Sequence, residues 1–152
     1  MVPDKLRRCG EGGLSVLVAA ADADRVPACC RGVAVRSSDD FESVTVYVPV
    51  ATSQEIVANV ATTRRVAIVC SHPVDHATVQ IKGVTRAVRL APAADEAYVA
   101  DYFGRFAEIL ESIGLPRRIT RGINIWPAFA IELTVEEVFD QTPGPKAGGP
   151  LA

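Results

Sequence analysis

Three polar side chains able to handle a ligand occupy alternate positions of one short stretch, His76-Ala77-Thr78-Val79-Gln80-Ile81-Lys82-Gly83. In a β-strand alternate residues share a face, so Thr78, Gln80 and Lys82 point one way while Val79 and Ile81 point the other. A hydroxyl, a carboxamide that donates and accepts, and an ammonium either line a site or form the wet side of an edge strand. Beyond Gly83 the apolar positions pass from odd to even numbers, at Val84, Val88 and Leu90, which predicts a bulge centred on that glycine. Cys70, His72, Asp75 and His76 are zinc-type ligands lying close in sequence. Their spacing matches no paired metal pattern, so no metal is expected and the histidines are read as shaping a turn. Ser15, Ser43 and Ser53 sit in no nucleophile elbow, and Gly10-Glu11-Gly12-Gly13 precedes a strand rather than joining strand to helix.

The chain that must position these residues has 152 residues, 49% of them hydrophobic, and a formal net charge of -2. That is one domain's length with enough apolar material for a core. Interspersed charges without a basic face argue against nucleic acid as a partner and leave small molecules or proteins. No apolar run approaches the roughly 20 residues that span a bilayer, so no membrane partner is expected. Lys5, Arg7 and Arg8 ahead of Leu14 to Ala21 have the outline of a leader, but Glu11-Gly12-Gly13 interrupts it and a first strand is the better reading. Cys9, Cys29, Cys30 and Cys70 show no paired spacing, which fits reduced thiols in a cytoplasm.

Strands are predicted from Leu14 to Ala20, Ala28 to Arg36 and Val44 to Val48, separated by the polar turns Asp22–Arg25 and Ser37–Asp40. Thr52-Ser53-Gln54-Glu55 has capping-box form, so a short helix starts there and ends near Thr63. Arg65 to Ser71 reads as a buried strand, hairpin-related to a long strand from Ala77 to Leu90. Asp95 to Ile113 carries an apolar stripe, Tyr98, Val99, Tyr102, Phe103, Phe106, Ile109, Leu110 and Ile113, that packs a long helix on a core. A last strand runs from Ala128 to Phe139, with Phe129, Ile131, Leu133 and Val135 on one face. The Pro/Gly-rich end is expected to take neither helix nor strand. The fold class is therefore mainly β (α+β): a small six-stranded antiparallel β-barrel, closed or split, with one short and one long helix. Residues 1–13 are an N-terminal extension, 14–140 the barrel and 141–152 a tail or lid.

Taken in order, these segments resemble the FMN-binding split barrel of the pyridoxamine 5'-phosphate oxidase superfamily, from about Leu14 to Pro145. The resemblance rests on Arg31-Gly32-Val33-Ala34-Val35-Arg36, Tyr47-Val48, Thr52-Ser53, Arg64-Arg65-Val66-Ala67-Ile68-Val69, Thr78-Val79-Gln80-Ile81-Lys82-Gly83 and Val138 to Pro145. It implies cofactor contacts at Arg31, Val33, Arg36, Tyr47, Thr52, Ser53, Thr78, Gln80 and Lys82. It also implies a homodimer with FMN held at the interface.

The chemistry of these residues agrees. A guanidinium such as Arg31 or Arg36 can grip a phosphate bidentately, and the helix entered through Thr52 adds partial positive charge. Gln80 can meet the flavin's mixed amide edge, and Lys82 can stabilise the charge that develops there on reduction. The sequence departs from the oxidase proper in having no Arg-Lys pair at the short helix start and no Arg after Pro145. The expectation is a flavin-dependent oxidoreductase of small molecules that is not a pyridoxamine-phosphate oxidase. The alternative is a non-catalytic flavin, deazaflavin or haem binding or sensing protein on the same dimeric barrel.

Overall fold

The computed structural model describes residues 4–151; residues 1–3 of the expected extension and residue 152 of the expected tail lie outside the described residues. Helix α1 (Asp4–Glu11) precedes β1 (Ser15–Ala21), β2 (Pro27–Gly32), β3 (Ala34–Ser37) and β4 (Ser43–Pro49), and in β4 buried valines alternate with Ser43, Thr45 and Tyr47. After helix α2 (Gln54–Thr63) come β5 (Arg65–Ser71) and β6 (Thr78–Leu90). A 3-10 turn at Ala93–Asp95 leads into α3 (Glu96–Ser112), then the short α4 (Arg117–Thr120), β7 (Ala128–Asp140) and the two-residue β8 (Gly149–Pro150).

The sheet is antiparallel throughout, in the order β2-β1-β5-β6-β7-β4-β3, with β8 beside β7. Its two ends, β2 and β3, are halves of one stretch parted at Val33, whose N–H donates to the Tyr47 carbonyl at 2.8 Å. There the chain leaves β1 and joins β4, so the sheet curls back on itself. This is why seven strands form the path where the sequence predicts six: the expected strand 28–36 changes partner midway.

Val16, Val18, Val44, Val46, Ile68, Ile81, Ile131 and Leu133 fill the interior, all essentially without solvent contact. Each such side chain, fully buried, contributes about 1.5–3 kcal/mol. α2 closes one end, where Asn59 Nδ2 donates to the Ala20 carbonyl at 3.2 Å and Ile56 and Val60 point inward. α3 buries Val99, Tyr102, Phe103 and Phe106, and its Tyr98 hydroxyl donates to the Val35 carbonyl at 2.7 Å. It thereby covers the outside of the β3–β4 half of the sheet and leaves the other half bare.

Three local expectations are corrected. In β6 the inward alternation Val79, Ile81, Gly83, Thr85 runs straight through the glycine. The first register shift, between Lys82 and Gly83, places its extra residue, Glu136, on β7; the extra residue on β6 is Arg86, and the apolar parity changes there. The expected irregularity at Gly83 is thus present without the expected change of parity, and Gly83 also serves close approach, since a Cβ on it would lie 2.0 Å from the Thr134 carbonyl oxygen. The capping box does not form: Ser53 is the N-cap without a side-chain cap bond, and its hydroxyl donates to the Pro49 carbonyl at 2.6 Å. The tail turns back so that Gly149 and Pro150 pair with Asp140 and Phe139, because Gly144 and Gly148 adopt positive φ and reverse the chain.

Candidate functional site

The register across β2, β1, β5, β6 and β7 lays out the bare face in rows. One row reads Arg31, Leu17, Val69, Gln80, Phe139; the next reads Cys29, Ala19, Ala67, Lys82, Glu137. A third begins Pro27, Ala21, and Ser15, Ser71 and Thr78 form the row at the opposite end. Four of the residues singled out in the sequence, Arg31, Thr78, Gln80 and Lys82, are therefore brought onto one surface from strands far apart in the chain. The surface between them is apolar, and Leu17 at its centre is 42% exposed.

Each of these polar groups is held. Arg31 Nη1 donates to Ser15 Oγ at 3.4 Å, and its guanidinium lies 5.7 Å from the Phe106 ring centroid. The Thr78 and Ser71 hydroxyls are 2.8 Å apart, and Gln141 Nε2 donates to Gln80 Oε1 at 3.2 Å. The Lys82 ammonium stands 4.7 Å from the centre of the Phe139 ring, a cation–π contact that keeps its charge on the face. Beside Lys82 a cavity of about 330 Å³ opens over Ala19, Ala21 and Ala67, with Arg65 and Glu137 at its rim. Arg65 is ion-paired with Glu136.

The other predicted site residues lie elsewhere. Arg36 and Tyr47 meet at Asp95, the buried acid at the start of α3: Arg36 Nη1 donates to Oδ1 at 3.1 Å and the Tyr47 hydroxyl to Oδ2 at 3.0 Å. The Arg36 guanidinium lies 4.2 Å from the Tyr98 ring centroid, so one of its donors is held by Asp95 beside an aromatic wall while the side chain remains partly exposed. Burial, with the bond to Asp95 second, pushes the Tyr47 hydroxyl up to about 12. Val33 is buried where β2 passes into β3, Ser53 is buried on the Pro49 carbonyl, and Thr52 is exposed at the start of α2. His72 and His76 shape the β5–β6 hairpin: His72 Nδ1 accepts from the Val74 and Asp75 N–H groups, and His76 takes a left-handed φ of 57°. No cluster of three or more metal-ligating side chains occurs among the described residues.

Arg65, Glu137 and the alanines of the cavity were not found by sequence reasoning. A signal existed for Arg65, which shares the strand parity of Ala67 and Val69, but its neighbours on the face come from non-local pairing. The sequence marks Asp95 only as the start of the long helix, because nothing local shows it to be the partner of Arg36, 59 positions away.

No family model and no curated protein matches the chain. Solved structures do match, and they define the class by fold: the chain has the split-barrel fold of proteins like pyridoxamine 5'-phosphate oxidase. HupZ of Group A Streptococcus superposes with a TM-score of 0.59 at 16% identity, over 97% of this chain and 100% of that one. An F420 reductase gives 0.57 at 12% identity, over 90% and 98%. A protein provisionally assigned as a pyridoxamine 5'-phosphate oxidase, from Lactobacillus delbrueckii, gives 0.55 at 16% identity, over 91% and 93%. An FMN-binding protein of Syntrophomonas wolfei and HutZ, the heme storage protein of Vibrio cholerae, share the fold as well. No helix among the described residues is long and apolar enough to cross a membrane.

Proposed function

We propose that this chain is a flavin-dependent oxidoreductase that holds FMN on the open face of β2-β1-β5-β6-β7, between two copies of itself. The observation that carries the reading is the gathering of Arg31, Gln80 and Lys82 on an uncovered apolar surface, beside a cavity floored by alanines. The small side chains leave room for a planar ring, and Gln80 and Lys82 suit the amide edge of an isoalloxazine. FMN supplies the electron transfer; the chain supplies binding, orientation and a positive charge at Lys82 that favours the reduced, anionic ring. The phosphate grip is thinner, because Arg36 bonds Asp95, Arg65 is paired with Glu136 and the Ser53 hydroxyl bonds the Pro49 carbonyl, leaving Arg31. A dissociation constant of about micromolar or weaker follows. Residues 141–152 carry one cation, Lys146, too little to hold a second phosphate, which argues against pyridoxamine 5'-phosphate as the substrate.

A non-catalytic binding or sensing role, for flavin, deazaflavin or haem, is the second reading. It draws on the cavity's rim, where among the described residues the acid and base that line it, Glu137 and Arg65, are both exposed rather than buried and poised. It also draws on the shared fold of HutZ. The test is flavin titration of the purified protein followed by reduction. Absence of any flavin fluorescence change at about 100 μM overturns the cofactor assignment. Binding without turnover of NADH or NADPH selects the second reading. Lys82→Met is expected to lower the bound flavin's potential at unchanged stoichiometry, and an unchanged potential removes Lys82 from the site.

A further inference from the structure

Away from the open face, the chain between α3 and β7 folds back over α3 and leaves a groove of about 340 Å³. Its floor is the run Ala100, Gly104, Ala107, spaced to share one side of the helix, and Ile123 and Ile125 form the facing wall. Glycine within a helix costs about 1 kcal/mol relative to alanine. Nothing inside the chain demands it here, since a Cβ on Gly104 would meet no atom within 4 Å. What the glycine provides is depth.

The rim adds charge. Glu108 and Arg117 line the groove 3.3 Å apart, and Arg117 also binds Glu111 at 2.7 Å. Arg121, also on the rim, is exposed and makes no ion pair among the described residues. An apolar trough with one guanidinium free of ion pairing at its edge is complementary to an apolar body carrying a single anionic group. The volume lies at the small end of ligand pockets, which suits a short amphiphile. We propose that this groove is a binding site for a medium-chain carboxylate, its alkyl chain over Gly104 and its carboxylate on Arg121. The site is separate from the face assigned to flavin and does not depend on that assignment.

The chain's single tryptophan, Trp126, follows Ile125 of the groove wall and supplies the readout. Decanoate titrated into the full-length protein is expected to give a saturable change in Trp126 fluorescence, matched by calorimetric heat. Arg121→Gln should weaken decanoate about tenfold while leaving decanol unaffected, as expected for loss of one charge-assisted contact. Gly104→Leu should fill the trough and abolish binding; its thermal unfolding and far-UV circular dichroism, unchanged from wild type, report that the barrel is intact. If Gly104→Leu fails to fold, Arg121→Gln with the decanoate and decanol pair still decides the matter. No saturable binding of decanoate at about 1 mM overturns the proposal. So does decanol binding as tightly as decanoate, or Gly104→Leu binding like wild type.

Discussion

Replacing Gly83 by alanine tests the close approach of β6 and β7 that holds Lys82 in place. The added Cβ would sit 2.0 Å from the Thr134 carbonyl oxygen, 2.9 Å from Leu133 Cδ1 and 3.0 Å from the Thr134 carbonyl carbon. The first contact is with backbone, so no side-chain rotation relieves it and the strands must part by more than an ångström. Parting them weakens the ladder around Gly83↔Val135 and Val84↔Thr134. Two weakened hydrogen bonds cost roughly 1–3 kcal/mol and overpacking against Leu133 about 1–3 kcal/mol more. The stiffer unfolded chain returns about 0.4–1 kcal/mol. The expected net loss is about 2–4 kcal/mol, read as a lower urea midpoint at unchanged slope, with Trp126 fluorescence as the probe. Gly104→Ala is the internal control: with no atom near the new Cβ, it should stabilise by up to about 1 kcal/mol. A Gly83→Ala protein within about 1 kcal/mol of wild type would refute the claim that this glycine is required by backbone proximity.

Three further outcomes are expected. Lys5, with Thr142 second, holds the Asp140 carboxylate down to about 2, so the lock between α1 and β7 is complete above the ordinary aspartate range and is lost as pH falls from about 4 to 2; amide exchange in α1 should rise over that window and Asp140→Asn should remove the dependence. Tyr47 keeps its proton up to about 12, so its contribution is complete below pH of about 10 and declines above it; Tyr47→Phe should shallow the alkaline fall in melting temperature without abolishing it, since burial raises Tyr98 and Tyr102 in the same direction. Light scattering at micromolar concentration should give a dimer mass, and Leu17→Glu, a charge at the centre of the open face, should give a monomer that no longer binds flavin. A wild-type monomer would remove the shared site.

Local signals were readable wherever one segment settles its own shape. The apolar parity of β1, β4 and β5 and the stripe of α3 are set by neighbours two to four positions away, and the strand and helix positions follow from them. The parity change in β6 was visible too, yet it was assigned to Gly83 because glycine is the usual marker of a bulge. The displacement lies at Arg86, set by how β7 pairs, which the sequence of β6 does not contain. Of the candidate site, the face of Thr78, Gln80 and Lys82 was legible because all three stand on one strand. Arg31 joins them only through the order β2-β1-β5-β6, and Arg36 was diverted by Asp95, whose distance along the chain hid it.

The strand that changes partner at Val33 also governs how the molecule assembles. Its first half pairs with β1, whose other neighbour is β5; its second half pairs with β4, whose other neighbour is β7, drawn from the last quarter of the chain. Hairpins such as β1–β2 and β5–β6 can form early, since their loops are short. The circuit closes only when residues 43–49 and 128–134 meet, so closure waits on a large loop-entropy cost. A nascent chain that has made β2 and β3 but not yet β7 carries an unpaired β4 edge, and that edge sets the period during which this protein is most exposed to association with its own copies.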